Sequence, residues 1–215
     1  MIGTSSRRGW QSSFYKTYSI SGEHLKTEHN QGNCIFELFP KKSFEEKYRN
    51  NKGIIPAEEN ERFYVREYWK QVLSGLDPES IYREIDYSIL LSDEPSTEFS
   101  HRHIVAAWFE ILLNIKVPEM LANGVHTEQI SRPDYIKGYL EEAMRQNRNM
   151  RGFTSLRALY FFERGEKLEA LANELEEKTG QCQDGYRQTA CYLRCQADTI
   201  EEKYQRSLQE EKLTR

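Results

Sequence analysis

The sequence predicts a layered α/β sheet domain followed by a C-terminal helical extension. Short apolar or alternating runs, which favour strands, recur between helical patterns throughout residues 1–118. From there onward only helical patterns follow, so we expect residues 119–215 to form a helical hairpin or a three-helix bundle. The aromatic content, 13 Tyr, 10 Phe and 3 Trp, is enough to bury a core in a chain of 215 residues.

Three strand candidates precede the first predicted helix. Residues 1–4 are a short strand candidate, and residues 15–21 show partial alternation of apolar and polar side chains. Residues 33–39 are a third candidate, which Pro40 ends. Residues 41–51 are polar and end in a loop. The early chain therefore contributes strands to the predicted sheet.

Helices and one buried strand follow in alternation. Residues 58–73 show helical spacing of aromatic side chains, and a second helix begins at Pro78 with Asp77 as its cap. Residues 87–91 are a short apolar run typical of a buried strand. A polar loop then leads into a strongly apolar helix over residues 100–115.

Helices alone are predicted beyond residue 118, over residues 132–146, 154–178 and 184–212. The last of them has an apolar stripe, which we expect to pack on leucines of the helix before it; a dimer seam is the alternative. The stripe comprises Tyr186, Ala190, Leu193, Ala197, Ile200 and Tyr204. The facing leucines are Leu156, Leu159, Leu168, Leu171 and Leu175.

Charge and hydropathy exclude several classes of protein. A net charge of −4 and a pI of about 5.8 exclude a globally basic surface for nucleic acid, so such binding would need a local patch. No apolar run approaches the roughly 20 residues that span a bilayer, and residues 1–8 lack a signal-peptide core. We therefore expect a cytoplasmic protein that does not engage a membrane.

The four cysteines are interpreted as free, buried thiols rather than disulfides, as is usual in the cytosol. They are Cys34, Cys182, Cys191 and Cys195. No histidine lies in the C-terminal third to complete a zinc site, and no Walker, dinucleotide-binding, zincin or hydrolase motif occurs. The sequence predicts neither a metal nor a cofactor.

The candidate functional site is the strand–loop–helix segment over residues 90–108. Ligands of open α/β sheets bind outside the carboxyl ends of strands, and a helix that starts there favours anions at its N-terminus. Ser100 is a good helix cap, and Arg102 adds a bidentate donor for phosphate or carboxylate. The pattern indicates an anion pocket.

Titratable side chains in the same segment could perform acid–base chemistry. His101 or His103 could exchange a proton near neutral pH, and Glu94 could orient an imidazole or act as a base. The alternative is structural: a capped, solvated first turn of a helix, with Glu94 as a surface acid.

The same segment carries a family resemblance. An apolar strand ends in Glu94, and Ser100-His101-Arg102 then opens a helix that contains Trp108. This resembles the family known as domain of unknown function 488, whose hallmark is a strand, a Glu, and Cys-His-Arg opening such a helix. Weaker similarities, in the same order along the chain, extend the resemblance over about residues 1–116. It implies an α/β fold and a site here, and it brings no settled reaction.

One departure from the family pattern concerns the family's Cys, which is Ser100 in this chain; Ser92 also stands where relatives often have a Cys. A serine would be a far weaker nucleophile than a cysteine without a base beside it. If the position only caps the helix and touches a ligand, serine serves at least as well.

The N-terminal turn is expected at the same edge of the sheet. Ser5, Arg7 and Arg8 follow the first predicted strand, so they could meet Ser100 and Arg102 and enlarge the anion pocket. The alternative is a solvated N-terminus.

Together these patterns predict a nucleotide- or nucleic-acid-directed protein with a phosphate pocket. If the protein is an enzyme, we expect it to act on a glycosidic or phosphoryl bond. The catalytic candidates are Glu94, Ser100 and His101. The anion-binding candidates are Arg102, His103, Arg7, Arg8 and Ser5. The alternative is a non-catalytic protein that binds an anionic small molecule and contacts a partner, or a second copy of itself, through the C-terminal helices.

Overall fold

The structure is a computed structural model that describes residues 2–11, 15–21, 33–146, 155–177 and 183–213. The chain divides into two compact units, Met1–Arg148 and Asn149–Arg215. Among the described helices, none combines the length and the apolar character that crossing a membrane requires.

A seven-stranded sheet forms the centre of the first unit. Its strands are β1 Gly3–Ser6, β2 Trp10–Gln11, β3 Lys16–Ser19, β4 Asn33–Cys34, β5 Ser88–Ser92, β6 Glu119–Asn123 and β7 His126–Ile130. They follow the order β2-β6-β1-β5-β3-β4, all pairs being parallel, and β7 adds to β6 in the antiparallel sense. The central strands β1 and β5 are buried at every position, as parallel strands covered by helices are.

The described residues of this unit include five α-helices: α1 Lys42–Asn51, α2 Ala57–Gln71, α3 Pro78–Glu84, α4 His101–Leu113 and α5 Tyr135–Gln146. Helix α4 is apolar on nearly all sides and is buried over most of its length, next to β1 and β5. Helix α2 packs against α1, α4 and α5. The predicted α/β class, with helices at the C-terminus, is confirmed.

Several predicted elements are present with small shifts at their ends. The helix predicted over residues 58–73 is α2, the buried strand over 87–91 is β5, and the apolar helix over 100–115 is α4. The predicted cap also forms, because the Asp77 carboxylate accepts a hydrogen bond from the backbone N–H of Glu79 at 3.2 Å.

Residues 41–51, for which the sequence indicated only polar character, contain α1, whose one buried residue is Phe44. Two parts of the prediction were wrong. Residues 33–39 form only the short β4 before a 3-10 helix, Phe36–Leu38. Residues 119–130 are strands β6 and β7 rather than helix or linker, joined by a turn in which Gly124 has a φ of 61°. Strand β7 is almost wholly exposed and polar, so it lacks the alternation that identifies strands.

The boundary predicted near residue 118 differs from the compact units. Because β6 and β7 join the sheet and α5 packs on α2 and α4, the first unit continues to Arg148. The helical unit is correspondingly shorter than residues 119–215.

The second unit is an antiparallel pair of long helices, α6 Leu156–Glu177 and α7 Gln183–Leu213. Ion pairs mark both ends of the pair: Arg157 with Glu210, and Arg194 with Glu176. The predicted stripe is buried at Ala190, Ala197 and Ile200, whereas the Tyr186 side chain lies outside the described residues. Leu171, a predicted packing partner, is instead 45% exposed.

The prediction of buried thiols was also wrong for the helical unit. Cys191 and Cys195 are free and exposed, because they lie on the outer face of α7, away from its buried stripe. Cys34 is half-buried, and Cys182 lies outside the described residues.

Replacing the α3 cap tests the local structure before β5. Asp77→Ala removes the acceptor of the Glu79 N–H, so we expect the free energy of unfolding to fall by about 1 kcal/mol. The measurement is urea denaturation followed by circular dichroism. Asp77→Asn keeps an acceptor oxygen and should stay close to the wild type; an equal loss in both variants would contradict the capping role.

Candidate functional site

The predicted segment lies at the carboxyl edge of the sheet, between the end of β5 at Ser92 and the start of α4 at His101. Ser100 has an extended backbone, and its Oγ accepts a hydrogen bond from the backbone N–H of Arg102 at 3.4 Å. The cap predicted from the sequence is therefore present.

A buried ion pair anchors the first turn of α4 to β6. Both side chains of the pair, Arg102 and Glu119, are 0% exposed, with Nη2 and Oε1 3.0 Å apart. Glu119 also accepts a hydrogen bond of 2.6 Å from the Thr4 hydroxyl, and its Oε2 lies 3.4 Å from Nε2 of His103. Burial raises the pKa of Glu119, but bonding to His103 and the charge of Arg102 outweigh it and lower the pKa to about 2.

The rest of the Arg102 guanidinium holds the loop between β5 and α4. Nη1 donates to Oγ of Ser92 at 2.6 Å, to the carbonyl of Glu94 at 2.9 Å and to Oγ of Ser100 at 3.1 Å. Nη2 donates to the carbonyl of Pro95 at 3.1 Å. Every N–H of the guanidinium thus has an acceptor within the chain. The expected role of Arg102 in binding an external anion is therefore corrected, since no donor remains for one.

Sequence reasoning missed Glu119, which anchors the site, and the cavity-lining residues Tyr48, Glu61 and Phe99. Residues 119–215 were predicted to be helical and outside the site, whereas Glu119 is the first residue of β6 and is paired with β1 at Thr4. The signal that could have identified it is a single acid next to apolar residues, Val117-Pro118 before it and Met120-Leu121 after it.

Glu94 lines a cavity of about 570 Å³ at the sheet edge, together with Ser100 and His101. The Glu94 side chain is 38% exposed, and the Ser100 hydroxyl donates to its Oε2 at 2.9 Å. Burial raises the pKa of Glu94, but His101 and the hydroxyls of Ser92 and Ser100 outweigh it and lower the pKa to about 2. At neutral pH the cavity therefore contains an ionised carboxylate.

One ring nitrogen of His101 is hydrogen-bonded to the backbone, and the other lies near Glu94. Its Nε2 lies 2.9 Å from the carbonyl oxygen of Ile20, and because a carbonyl only accepts, Nε2 is the donor. Nδ1 lies 3.9 Å from Oε1 of Glu94. The nitrogen available for proton exchange is therefore the one beside the carboxylate.

Aromatic rings form much of the cavity wall. They are Tyr48, Tyr64, Phe99 and Tyr135. Phe99 lies against both Tyr48 and Tyr64, with ring centroids 5.5 and 5.4 Å apart. Burial raises the pKa of Tyr48 to about 12, and burial and a hydrogen bond to Glu61 raise the pKa of Tyr135. These phenols are neutral, so the wall offers flat apolar surfaces with polar edges.

The charged groups that line the cavity are predominantly acidic. The acids are Glu45, Glu61, Glu94 and Glu98. The bases are Arg49 and Lys52, and Arg49 is paired with Glu45 at 3.0 Å. Such a lining disfavours a phosphate and favours a neutral or positively charged ligand.

The remaining predicted residues do not line this cavity. Ser5 is buried and donates from Oγ to the carbonyl of Met120 at 2.6 Å, so the expected anion-binding role of Ser5 is corrected. Arg7 is at the same sheet edge but is paired with Asp93 at 3.3 Å. His103 lines a different cavity, and the Arg8 side chain lies outside the described residues.

No family model matches the chain, and neither the curated proteins nor the solved structures include one with detectable similarity to it. The resemblance of residues 1–116 to the domain of unknown function 488 family therefore stays a prediction that rests on its motif.

Removing the buried carboxylate tests the anchoring pair. Glu119→Gln leaves the Arg102 charge without its partner, so we expect the free energy of unfolding at neutral pH to fall by about 3–5 kcal/mol. The pKa of Glu119 is lower in the folded than in the unfolded chain, so its ionised form stabilises the fold above its ordinary pKa. That contribution is lost as the pH falls toward 2.

The variant should therefore lose less stability than the wild type between about pH 5 and pH 2. The measurement is chemical denaturation over a pH series. Glu128→Gln, at an exposed acid of β7, is the matched control and should follow the wild-type curve. Identical pH dependence in Glu119→Gln and the wild type would rule out the assigned role.

Proposed function

We propose that the cavity at the carboxyl edge of the sheet binds a nucleoside-type ligand and that Glu94 acts on its glycosidic bond. The observation that supports this proposal is an ionised, partly exposed carboxylate, braced by Ser100 and His101, in a cavity with aromatic walls. Carboxylates in such positions attack or stabilise the positively charged sugar carbon that develops as a glycosidic bond breaks.

The cavity walls suit the base of such a ligand. A flat heterocycle stacks on aromatic side chains, and the half-buried Tyr48 and Phe99 present their rings at this cavity. The carboxylate of Glu61 is a hydrogen-bond acceptor for the hydroxyls of a sugar.

The acidic lining favours glycosidic over phosphoryl chemistry. A phosphoryl group would approach the ionised Glu94 with negative charge on its oxygens, and Arg102 has no free donor to offset that repulsion. A glycosidic bond develops positive charge on the sugar instead, which Glu94 stabilises.

The proposed reaction has two steps. The Glu94 carboxylate bonds to the anomeric carbon as the bond to the base breaks, and the leaving base takes a proton from Nδ1 of His101. A water molecule then attacks the same carbon, gives its proton to Nδ1, and releases the sugar and the carboxylate. His101 is protonated again at the end, so the cycle closes.

Ser100 is assigned to positioning rather than to nucleophilic attack. Its Oγ donates to Glu94 and lies among Ser92 Oγ at 2.9 Å and Arg102 Nη1 at 3.1 Å. A hydroxyl bound in this way directs the carboxylate, and Glu94, whose pKa is lowered to about 2, is too weak a base to take the proton of the hydroxyl. The same geometry accounts for a serine at the position where the resembling family has a cysteine.

A second candidate is a ligand-binding protein without turnover that contacts a partner through the C-terminal helices. The observation in its favour is the exposed apolar surface of the helical unit. The exposed residues are Phe162, Leu171, Tyr192 and Leu213. Ligand binding without release of a base would select this candidate.

Neutralising Glu94 separates chemistry from binding. Glu94→Gln keeps the shape of the side chain but removes its charge, so we expect base release from ribonucleosides to fall by about a thousandfold or more. Ligand affinity, measured by calorimetry, should change little. Chromatography of the free base measures the rate.

The matched control is Glu98→Gln, which removes an exposed acid from the same cavity without touching Ser100 or His101. Its rate should stay close to that of the wild type. Equal rate losses in the two variants would mean that only the overall charge of the cavity matters, and the assignment of Glu94 would fail.

The preference for an uncharged ligand is tested with a pair of ligands. We expect a ribonucleoside 5′-monophosphate to bind about tenfold more weakly than the same nucleoside, because the phosphate meets four carboxylates. Calorimetric competition against the bound nucleoside, at low and high salt, measures the difference at this cavity, which should shrink as salt screens the charges. Tighter binding of the monophosphate in that competition would instead support the anion pocket predicted from the sequence.

A further inference from the structure

A second cavity of about 600 Å³ opens in the first unit, and it shares no lining residue with the cavity at Glu94. It lies among α4, residues 116–118, the end of β7 and the start of α5. The charged and titratable residues of its lining are His103, Glu110, Lys116, Arg132, Asp134 and Lys137.

His103 brings an unused hydrogen-bond acceptor to this cavity. The residue is 1% exposed, its Nε2 lies 3.4 Å from Oε2 of Glu119, and neither ring nitrogen has a hydrogen-bond partner within the described part of the chain. Burial lowers the pKa of His103, and the nearby charge of Arg102 lowers it further against the effect of Glu119. With the proton on Nε2, Nδ1 is a neutral acceptor that awaits a donor.

The surroundings of His103 favour a negatively charged ligand. Arg132 and Glu110 neutralise each other at 2.5 Å and hold the backbone of Val117. Apart from that pair, the lining contains two exposed cations, Lys116 and Lys137, and one acid, Asp134, so its remaining formal charge is positive.

Helix α5 adds to this preference for an anion. It begins at Tyr135, and the residues on both sides of its start line the cavity, so the positive end of the helix is directed there.

We propose that this second cavity binds a phosphate group that retains a proton, either as free hydrogen phosphate or within a phosphomonoester. The oxygens of the phosphate face the lysines and the start of α5, and its O–H donates to Nδ1 of His103. The cavity volume of about 600 Å³ leaves space for an organic group beyond the phosphate. This site is independent of the glycosidic chemistry assigned to Glu94.

A comparison of phosphate binding with sulfate binding tests the proposal on the unaltered protein. Near pH 6 both are small oxyanions, but only phosphate carries a proton that it can donate. We expect inorganic phosphate to bind about tenfold more tightly than sulfate at matched ionic strength, because sulfate leaves Nδ1 without a donor. The chain has 5 histidines, so 15N-histidine labelling also reports directly whether the His103 signal moves.

Lys137→Gln should weaken phosphate binding severalfold without affecting the fold, because the side chain is exposed. Lys70→Gln, at an exposed lysine in the last turn of α2, is the matched control and should bind phosphate like the wild type.

Methyl phosphate separates the two sources of the phosphate group. Tighter binding of methyl phosphate than of inorganic phosphate assigns a monoester as the ligand, and weaker binding assigns free phosphate. Equal affinities for phosphate and sulfate, an unmoved His103 signal, or unchanged binding in Lys137→Gln would overturn the proposal.

Discussion

The buried ion pair between Arg102 and Glu119 is the constraint on which both cavities depend. Burying two charges is favourable only when the remaining donors and acceptors are also satisfied, and here the chain satisfies them from β1, β5, β6 and the loop before α4. The same guanidinium sets the position of Glu94 through its backbone and of Ser100 through its hydroxyl. On the other side of the pair, Glu119 lies beside His103, which lines the second cavity.

The N-terminus of α4 shows how a fold can supply its own anion. Free N–H groups and the helix dipole favour negative charge at that point, which is the basis for predicting a phosphate there. In the structure the Glu94 carboxylate takes this position, bound to the cap residue Ser100 and beside His101. The electrostatic reasoning was sound, but an internal carboxylate satisfies it, and the cavity therefore suits a ligand that is not an anion.

Local sequence signals predicted those parts of the fold that local interactions determine. Asp77 before Pro78 and Ser100 before α4 are caps, and the apolar run of β5 matches its complete burial. The signals failed where an element depends on distant partners. Helix α1 buries only Phe44, and the exposed β7 is a strand because β6 pairs with it.

The sequence by itself determined the fold class, the buried strand and the apolar helix on either side of residues 93–100, and the helix caps, because each depends on neighbours in the chain. Only the tertiary structure decided which polar groups face a cavity and which are used within the interior. Arg102 and Ser5 have the residue types of ligand-binding groups, yet Glu119 and the backbone of Met120, more than a hundred positions from Ser5 along the chain, occupy their donors. Spacing in the sequence does not indicate such partners, because the parallel sheet brings β6 beside β1 through a crossover connection.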